Sequence, residues 1–362
     1  MPISISIYIA RQFALWFAGS VAVAAVLVIL IDMMELVRRA SSRPEVTIDI
    51  VAAMSLLHLP HILDITLPFA MLFASMAALW RMSRHQELAV ARASGLSIWQ
   101  LLLPGLAVAF TLGMLKVVAF NPLAATSLAI FEDMEVRYFN KRPNNPVLSG
   151  SSLWLKDYSG ELDLIIHGQN LRVQDRVLED VTVLQFIERD RFNARIDADS
   201  AQLADGEWIL TNARIVGPST AETRLERLIL STKLDWTTIS ENVTNPRSTP
   251  IWQLPGFIKK IEEAGFSAAP HRVQFHATLA SPIGLCAMVL IAAGFAIRPP
   301  RRGGLLGLMS LGAMAGIAYY IVSQVFLRLG QSGQIPAPLA AWAPTACVLM
   351  LGAAWLLYTE DG

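Results

Sequence analysis

RMSRHQELAVARASGLSIWQLLLP, residues 81–104, sets a charged, alanine-rich segment between two long apolar runs. Arg81, Arg84, His85, Glu87 and Arg92 carry the charge, Leu88 and Ala91 favour helix, and Gly95 supplies a stop. The segment predicts a short surface helix, too charged to cross a bilayer and too helical in composition for a plain loop.

The flanking sequence predicts membrane spans. Phe13 to Ile31 is 19 residues without a charge, enough to cross about 30 Å of hydrocarbon as a helix. Ala22-Val23-Ala24 imitates a cleavage site, but the apolar run continues past it, so an uncleaved first span is expected. Val46 to Pro60 is moderately apolar and reads as broken at Pro60, and Ile62 to Trp80 reads as span two. Ser97 to Phe120 reads as span three, weakened at its far end by Asn121-Pro122. Spans four to six are placed at Val273 to Ile297, Leu305 to Leu327 and Leu339 to Tyr358. Arg11, Arg81, Arg84, Arg92, Arg298, Arg301 and Arg302 collect on one side, against Arg38, Arg39, Arg43 and Arg328 on the other. The first set is the larger, so both termini and the 81–95 helix are expected in the cytoplasm.

The totals agree with a membrane class. Of 362 residues 54% are apolar and 16% charged, with 29 basic and 29 acidic side chains. Balanced charge with no basic stripe excludes nucleic acid as a partner. Cys286 and Cys347 lie inside apolar runs and have no metal-ligand spacing.

Most of the charge falls between Phe131 and Glu263, which predicts one polar domain inserted into the membrane chain. The segments SSLWLKDY, LDLIIHG, VTVLQFIE, ARIDADSAQL, EWILTNARIVG and RLILSTKLDW read as short strands, with Asp205-Gly206 as a hairpin turn. Strands without a long helix imply a sandwich or jelly roll. From Pro250 to Phe266 the pattern becomes amphipathic and predicts a helix on the membrane surface. The expected plan is an α-helical membrane protein of six transmembrane helices with an inserted all-β jelly-roll domain. Its parts are 1–130 with the 81–95 helix, a β domain over 131–250, a linker with interfacial helix over 251–270, and a second membrane half over 271–362.

Catalytic signatures are missing from the sequence. It contains no Gly-Lys dipeptide, hence no phosphate-cradling loop of the G-x-x-x-x-G-K-[ST] kind, and no G-x-S-x-G elbow. Ser149 to Ser152 reads as a strand-entry turn, and Gly303, Gly304 and Gly307 as loop-to-helix packing. His58, His61 and Asp64 have the makings of a metal site, but Pro60 between the histidines argues for interfacial polar residues instead. Asp32, Asp64 and Lys116 are ionisable groups near or within spans, where such groups face a cavity or a partner. With Arg38, Arg39, Arg43, Arg137, Lys141 and Arg142 they could line an anionic headgroup site, guanidinium being a good phosphate partner; singly, each reads as a solvated or snorkelling end.

Composition alone leaves the 81–95 helix open between a topology-fixing turn and a handle for a cytosolic ATPase. The string R-x-x-E-L-x-x-x-R-A-S-G, here Arg84 through Gly95, is similar to the coupling-helix signature of the LptF/LptG family of lipopolysaccharide export permeases. The D-M-M-E-L-V-R-R exit from span one, the RPPRRGG loop after span four and IPAPLAAWAP before span six look more like the LptG branch.

This resemblance, over nearly the whole chain, implies one permease half of an ABC transporter in the bacterial inner membrane, with the β domain periplasmic. The implied partners are an LptF-like half, an LptB-like ATPase dimer, an LptC-like single-span protein and a periplasmic bridge protein. The implied substrate is lipopolysaccharide, extracted into a V-shaped cavity between the halves. ATP and Mg would be used by the ATPase, with no cofactor, metal or catalytic residue on this chain. Arg84, Glu87, Arg92 and Gly95 would belong to ATPase coupling, and Arg38, Arg39, Arg43, Lys116 and Arg137 to the lipid headgroup. Two rival readings are a membrane-embedded enzyme on lipid or cell-wall precursors using His58, His61 and Asp64, and a scaffold whose spans only anchor the β domain.

Overall fold

The structure is a computed structural model that describes residues 3–41, 43, 46–139, 153–159, 162–172, 177–187, 191–204, 206–217, 222–232, 245–263, 267–296 and 304–361. The RPPRRGG loop, Lys141, Arg142, Asp205 and the Ser149 to Ser152 turn lie outside the described residues.

The chain divides into two compact units, Met1–Glu132 with Pro246–Pro255 and Ala269–Gly362, and Asp133–Asn245 with Gly256–Ala268. The membrane chain is built from α1 (Ile3–Ala40), α2 (Ile48–Arg84), α3 (Glu87–Ala93), α4 (Ile98–Leu115) and α5 (Asn121–Tyr138). After the insert come α6 (Leu254–Glu263), α7 (Ala269–Ala296), α8 (Gly304–Gln331) and α9 (Ala337–Asp361). Among the described residues, six stretches are long and apolar enough to cross a membrane: α1, α2, the α4–α5 run over Ile98–Tyr138, α7, Gly307–Gln331 of α8 and Ala337–Tyr358 of α9.

Two expected breaks are absent. Helix α2 runs unbroken through Pro60 and Pro68, so the second span starts well before Ile62. Proline forfeits one hydrogen bond and crowds the carbonyl four residues back, a cost that membrane helices absorb through neighbouring helices and local adjustment. The third span likewise does not fail at Asn121-Pro122. A π-helical turn, Lys116–Phe120, joins α4 to α5, and the Asn121 N–H bonds to the Lys116 carbonyl five residues back. Shifting the ladder by one residue just before Pro122 accommodates a residue that cannot donate.

The membrane core is a cluster that includes Phe13, Leu72, Met76, Leu79, Leu102 and Met288. Helices approach closely where side chains are small. A Cβ on Gly113 of α4 would overlap Pro282 Cα of α7, and one on Gly312 of α8 would overlap the Met76 sulfur of α2. Bilayer tails are as apolar as leucine, so such backbone approach, rather than apolar burial, supplies much of the packing. Helix α1 is the exception, with only Ile9, Phe13 and Leu36 buried among its 38 residues.

The insert forms a six-stranded antiparallel sheet in the order β1-β2-β3-β4-β5-β6, spanning Leu153–Ser159, Leu162–Arg172, Val177–Ile187, Arg191–Ala204, Glu207–Val216 and Thr223–Ser231. Each strand overlaps one of the six segments expected from alternation, although β6 begins at Thr223, four residues before the segment expected from Arg227, and residues 233–236 of that segment lie outside the described ones. Ala204 pairs with Glu207 across a two-residue loop, in which Gly206 has φ +78°, as the Asp205-Gly206 signal requires. Leu164, Val183, Ile196, Trp208 and Leu210 project into one apolar core. The described strands form an up-and-down meander, and the closure of a jelly roll is not seen among them. Helix α6 begins at Leu254 rather than at the expected Pro250, residues 264–266 lie outside the described ones, and Leu254 and Ile261 of its apolar stripe are buried.

Candidate functional site

The segment 81–104 folds as a surface element with a hinge at each end. Helix α2 stops at Arg84, and Gln86 takes a left-handed conformation (φ 60°) without a side-chain cap. Helix α3 then lasts seven residues, and Gly95 at φ +86° ends it, a conformation that glycine adopts without the Cβ penalty. Helix α4 restarts through a capping box: Gln100 N–H donates to Ser97 Oγ and Ser97 N–H donates to Gln100 Oε1, each at 3.2 Å. Alanine at Ser97 is expected to cost about 1 kcal/mol, read as a lower thermal midpoint in detergent with unchanged membrane insertion.

No residue of α3 is buried. Leu88 and Ala91 rest against the membrane core, while Arg84, Ala89, Val90, Arg92 and Gly95 are exposed, Val90 at 68%. The Arg84 guanidinium lies 5.6 Å from the centre of the Trp80 ring, and Arg92 borders a small pocket with Ser83, Gln86 and Ile98. Glu87 accepts from the Tyr8 hydroxyl of α1 at 3.1 and 3.3 Å to its two oxygens. The surface is thus a compact platform with two guanidinium groups, an exposed valine and a carboxylate tied to the first helix. Nothing in the sequence paired Tyr8 with Glu87.

The five expected headgroup residues are divided among different partners. Arg38 and Arg39 share Glu35: Arg38 donates through Nε and Nη2 at 2.9 and 2.8 Å, and Arg39 through Nε at 2.9 Å. Arg38 remains 74% exposed, so the pairing leaves its guanidinium open to a further anion. Arg43 follows the end of α1, its N–H donating to the Ala40 carbonyl at 2.8 Å. Arg137 lies in the last turn of α5, 3.5 Å from Asp133, with both side chains exposed.

Lys116 is different. It is buried in the π turn, donates to the Asp64 main-chain carbonyl at 3.1 Å, and stands 3.5 Å from the Asp64 carboxylate. Both line a cavity of ≈ 170 Å³ of mixed polar and apolar lining, with His61, Arg247, Gln274 and Tyr319. Beside it, Asn121 Oδ1 accepts from the buried Ile251 N–H at 3.1 Å, which pins the re-entry segment to the third span. A polar residue before Pro122 was the only sequence signal for that staple.

His58 and Asp64 turn to different partners. The Asp32 Oδ1 to His58 Nδ1 distance is 2.8 Å, and the His58 ring stacks on Phe131 at 4.2 Å between centres and on His61 at 5.9 Å. Asp32 and Asp64 therefore each have a named partner across helices, α1 to α2 and α2 to the π turn.

A second cavity escaped the sequence reading. Trp16, Val23 and Leu27 of α1, Phe69 and Phe73 of α2 and Ile317 of α8 line an apolar groove of ≈ 670 Å³. Apolar residues spaced along three different spans give no local signal that they share a wall.

Among the described residues, six membrane-length helices, a β-sheet inserted after the third and a hinged polar helix between the second and third define a multi-pass membrane protein. The profile of the lipopolysaccharide export system permease LptF/LptG family matches residues 7–359, and the chain belongs to that family. The lipopolysaccharide export system permease protein LptG of Escherichia coli K12 is 23% identical over 325 residues, covering 85% of this chain and 85% of that protein. LptG of Escherichia coli O6:H1, strain CFT073, gives the same values. The chain is accordingly a non-catalytic permease subunit of a lipopolysaccharide transporter complex, of a family that resides in the inner membrane and binds no cofactor itself.

Proposed function

We propose that this chain is the LptG-like half of the permease, paired with an LptF-like half, a dimer of an LptB-like ATPase, an LptC-like single-span protein and a periplasmic bridge protein. Both termini and α3 face the cytoplasm and the β domain faces the periplasm. Lipopolysaccharide enters from the outer leaflet of the inner membrane, its acyl chains along the α1, α2 and α8 groove and its phosphates toward Arg38, Arg39 and Arg43. Arg137 and Lys116 are further members of the headgroup set, Lys116 only if substrate displaces it from Asp64. Closure of the ATPase pushes α3 and narrows the cavity between the two permease halves, so that the lipid moves to the β domains.

The observation that carries this reading is α3 itself: an exposed seven-residue helix, hinged at Gln86 and Gly95, presenting Arg84 and Arg92 beside Glu87. A loop serving only topology needs the charges but neither the helix nor the hinges. Reversal of an interfacial charge is costly because the new group faces its like. Arg92→Glu is expected to lower recovery of the cytosolic ATPase about tenfold while insertion and lipopolysaccharide crosslinking at rest persist. ATPase recovery equal to that of the unaltered protein removes α3 from the coupling interface.

A further inference from the structure

The α3 platform explains how a push is received but not how it reaches the lipid-facing wall. Helix α1 supplies half of that wall through Trp16, Val23 and Leu27, yet of its residues only Ile9, Phe13 and Leu36 are buried. Its most apolar window is 0% buried. A helix that lies along α2 and α4 with so few buried side chains can slide or tilt against them, and a coupled movement needs contacts that differ between the two positions.

Its buried side chains and its side-chain hydrogen bonds to other helices lie toward its two ends. Near the far end, Leu36 is buried and Asp32 reaches His58 of α2 at 2.8 Å. At the near end, Ile9 and Phe13 enter the core, and Phe13 sits so closely on Gly105 of α4 that a Cβ there would lie 2.8 Å from the ring. One turn before Phe13, the Tyr8 hydroxyl donates to Glu87, 79 residues away and on α3. A carboxylate acceptor makes the bond directional and stronger than one between neutral groups.

We infer that Tyr8 is a transmission residue: its bond to Glu87 pulls the near end of α1 with α3, and α1 tilts about its Asp32–His58 tie, carrying the groove wall. On a straight helix with that pivot, Trp16 moves roughly two-thirds as far as Tyr8. Glu87 thereby has two duties, toward the ATPase on one side and toward α1 on the other. The inference rests on the reading of α3 as the ATPase contact.

Tyr8→Phe removes only the hydroxyl and keeps the ring. It is to be tested in the full complex, reconstituted with lipopolysaccharide, by three measurements: ATP hydrolysis, lipopolysaccharide delivered to the bridge protein per ATP, and the label-to-label distance between Val23→Cys and Ile317→Cys with and without nucleotide. Cys286 and Cys347 are replaced by serine throughout. The expected result is unchanged ATPase recovery and hydrolysis, delivery per ATP reduced roughly threefold or more, and a smaller nucleotide-dependent change in distance.

Normal delivery per ATP and a normal distance change overturn the inference. So does a loss of delivery that tracks loss of ATPase recovery, because Tyr8 would then only keep α3 in shape. Failure of the underlying reading is separately visible, as ATPase recovery that Arg92→Glu does not alter.

Discussion

Valine at Gly113 is expected to leave little folded protein in detergent, and alanine there to lower the thermal midpoint by several degrees. A Cβ at this position would overlap Pro282 Cα and lie 2.8 Å from Pro282 Cβ. Neither atom can be moved by a change of rotamer, because both belong to a backbone segment or to a ring that fixes its own φ. Helices α4 and α7 must separate instead, which weakens contacts along a seam where Ala109, Leu285 and Met288 are also buried. Overpacking of a close contact costs about 1–3 kcal/mol even when some relaxation is available, and a β-branched side chain brings two more methyl groups to the same point. Gly19→Val is the matched control, since nothing lies within 4 Å of a Cβ at that position on α1. Equal losses at both positions would show that glycine is needed in these helices for reasons other than the α4–α7 approach.

The contrast between Gly113 and Gly19 also marks the limit of what the sequence disclosed. Both are glycines in apolar runs, and nothing local distinguishes the one that seats a proline from the one that borders open space. What a run of residues decides by itself was legible: the six spans, the six strands with their hairpin at Gly206, the surface helix that ends at Gly95. Each depends on hydropathy, alternation or a backbone preference expressed within a few residues. Pro60 and Pro122 misled because proline opposes a helix locally, while the cost is absorbed by tertiary neighbours and, at Pro122, by the π turn one residue upstream. The candidate site divided in the same way. Arg84, Glu87, Arg92 and Gly95 share one short segment and emerged together. Lys116 was grouped with the arginines because depth in the bilayer can be read from sequence and side-chain direction cannot. The Tyr8–Glu87, Asp32–His58 and Asn121–Ile251 contacts join residues 26 or more apart, for which composition holds no record.

Replacing Lys116 by methionine is expected to destabilise the membrane unit more than replacing both Lys116 and Asp64. In the native state Lys116 gives its direct hydrogen bond to the Asp64 carbonyl and holds the carboxylate at 3.5 Å as an ion pair without a hydrogen bond. The Asp64 Oδ1 is buried and has no hydrogen-bond partner, so the lysine charge is its main compensation. Lys116→Met leaves that carboxylate without its paired cation in the cavity, at a cost of about 2–4 kcal/mol once the partial exposure of Asp64 is allowed for. The Lys116→Met, Asp64→Leu double variant removes both charges and both desolvation penalties, and is expected to recover most of the loss, since buried pairs replaced by apolar groups are often neutral in stability. Thermal unfolding of the two single variants and the double variant closes the cycle. Strictly additive losses would mean that Lys116 and Asp64 do not compensate each other. The double variant also isolates the second question about Lys116. A protein restored to normal stability but unable to crosslink lipopolysaccharide keeps Lys116 in the headgroup site. One that crosslinks normally assigns Lys116 to holding the π turn against α2, and leaves phosphate recognition to arginines such as Arg38, whose guanidinium is already open to solvent.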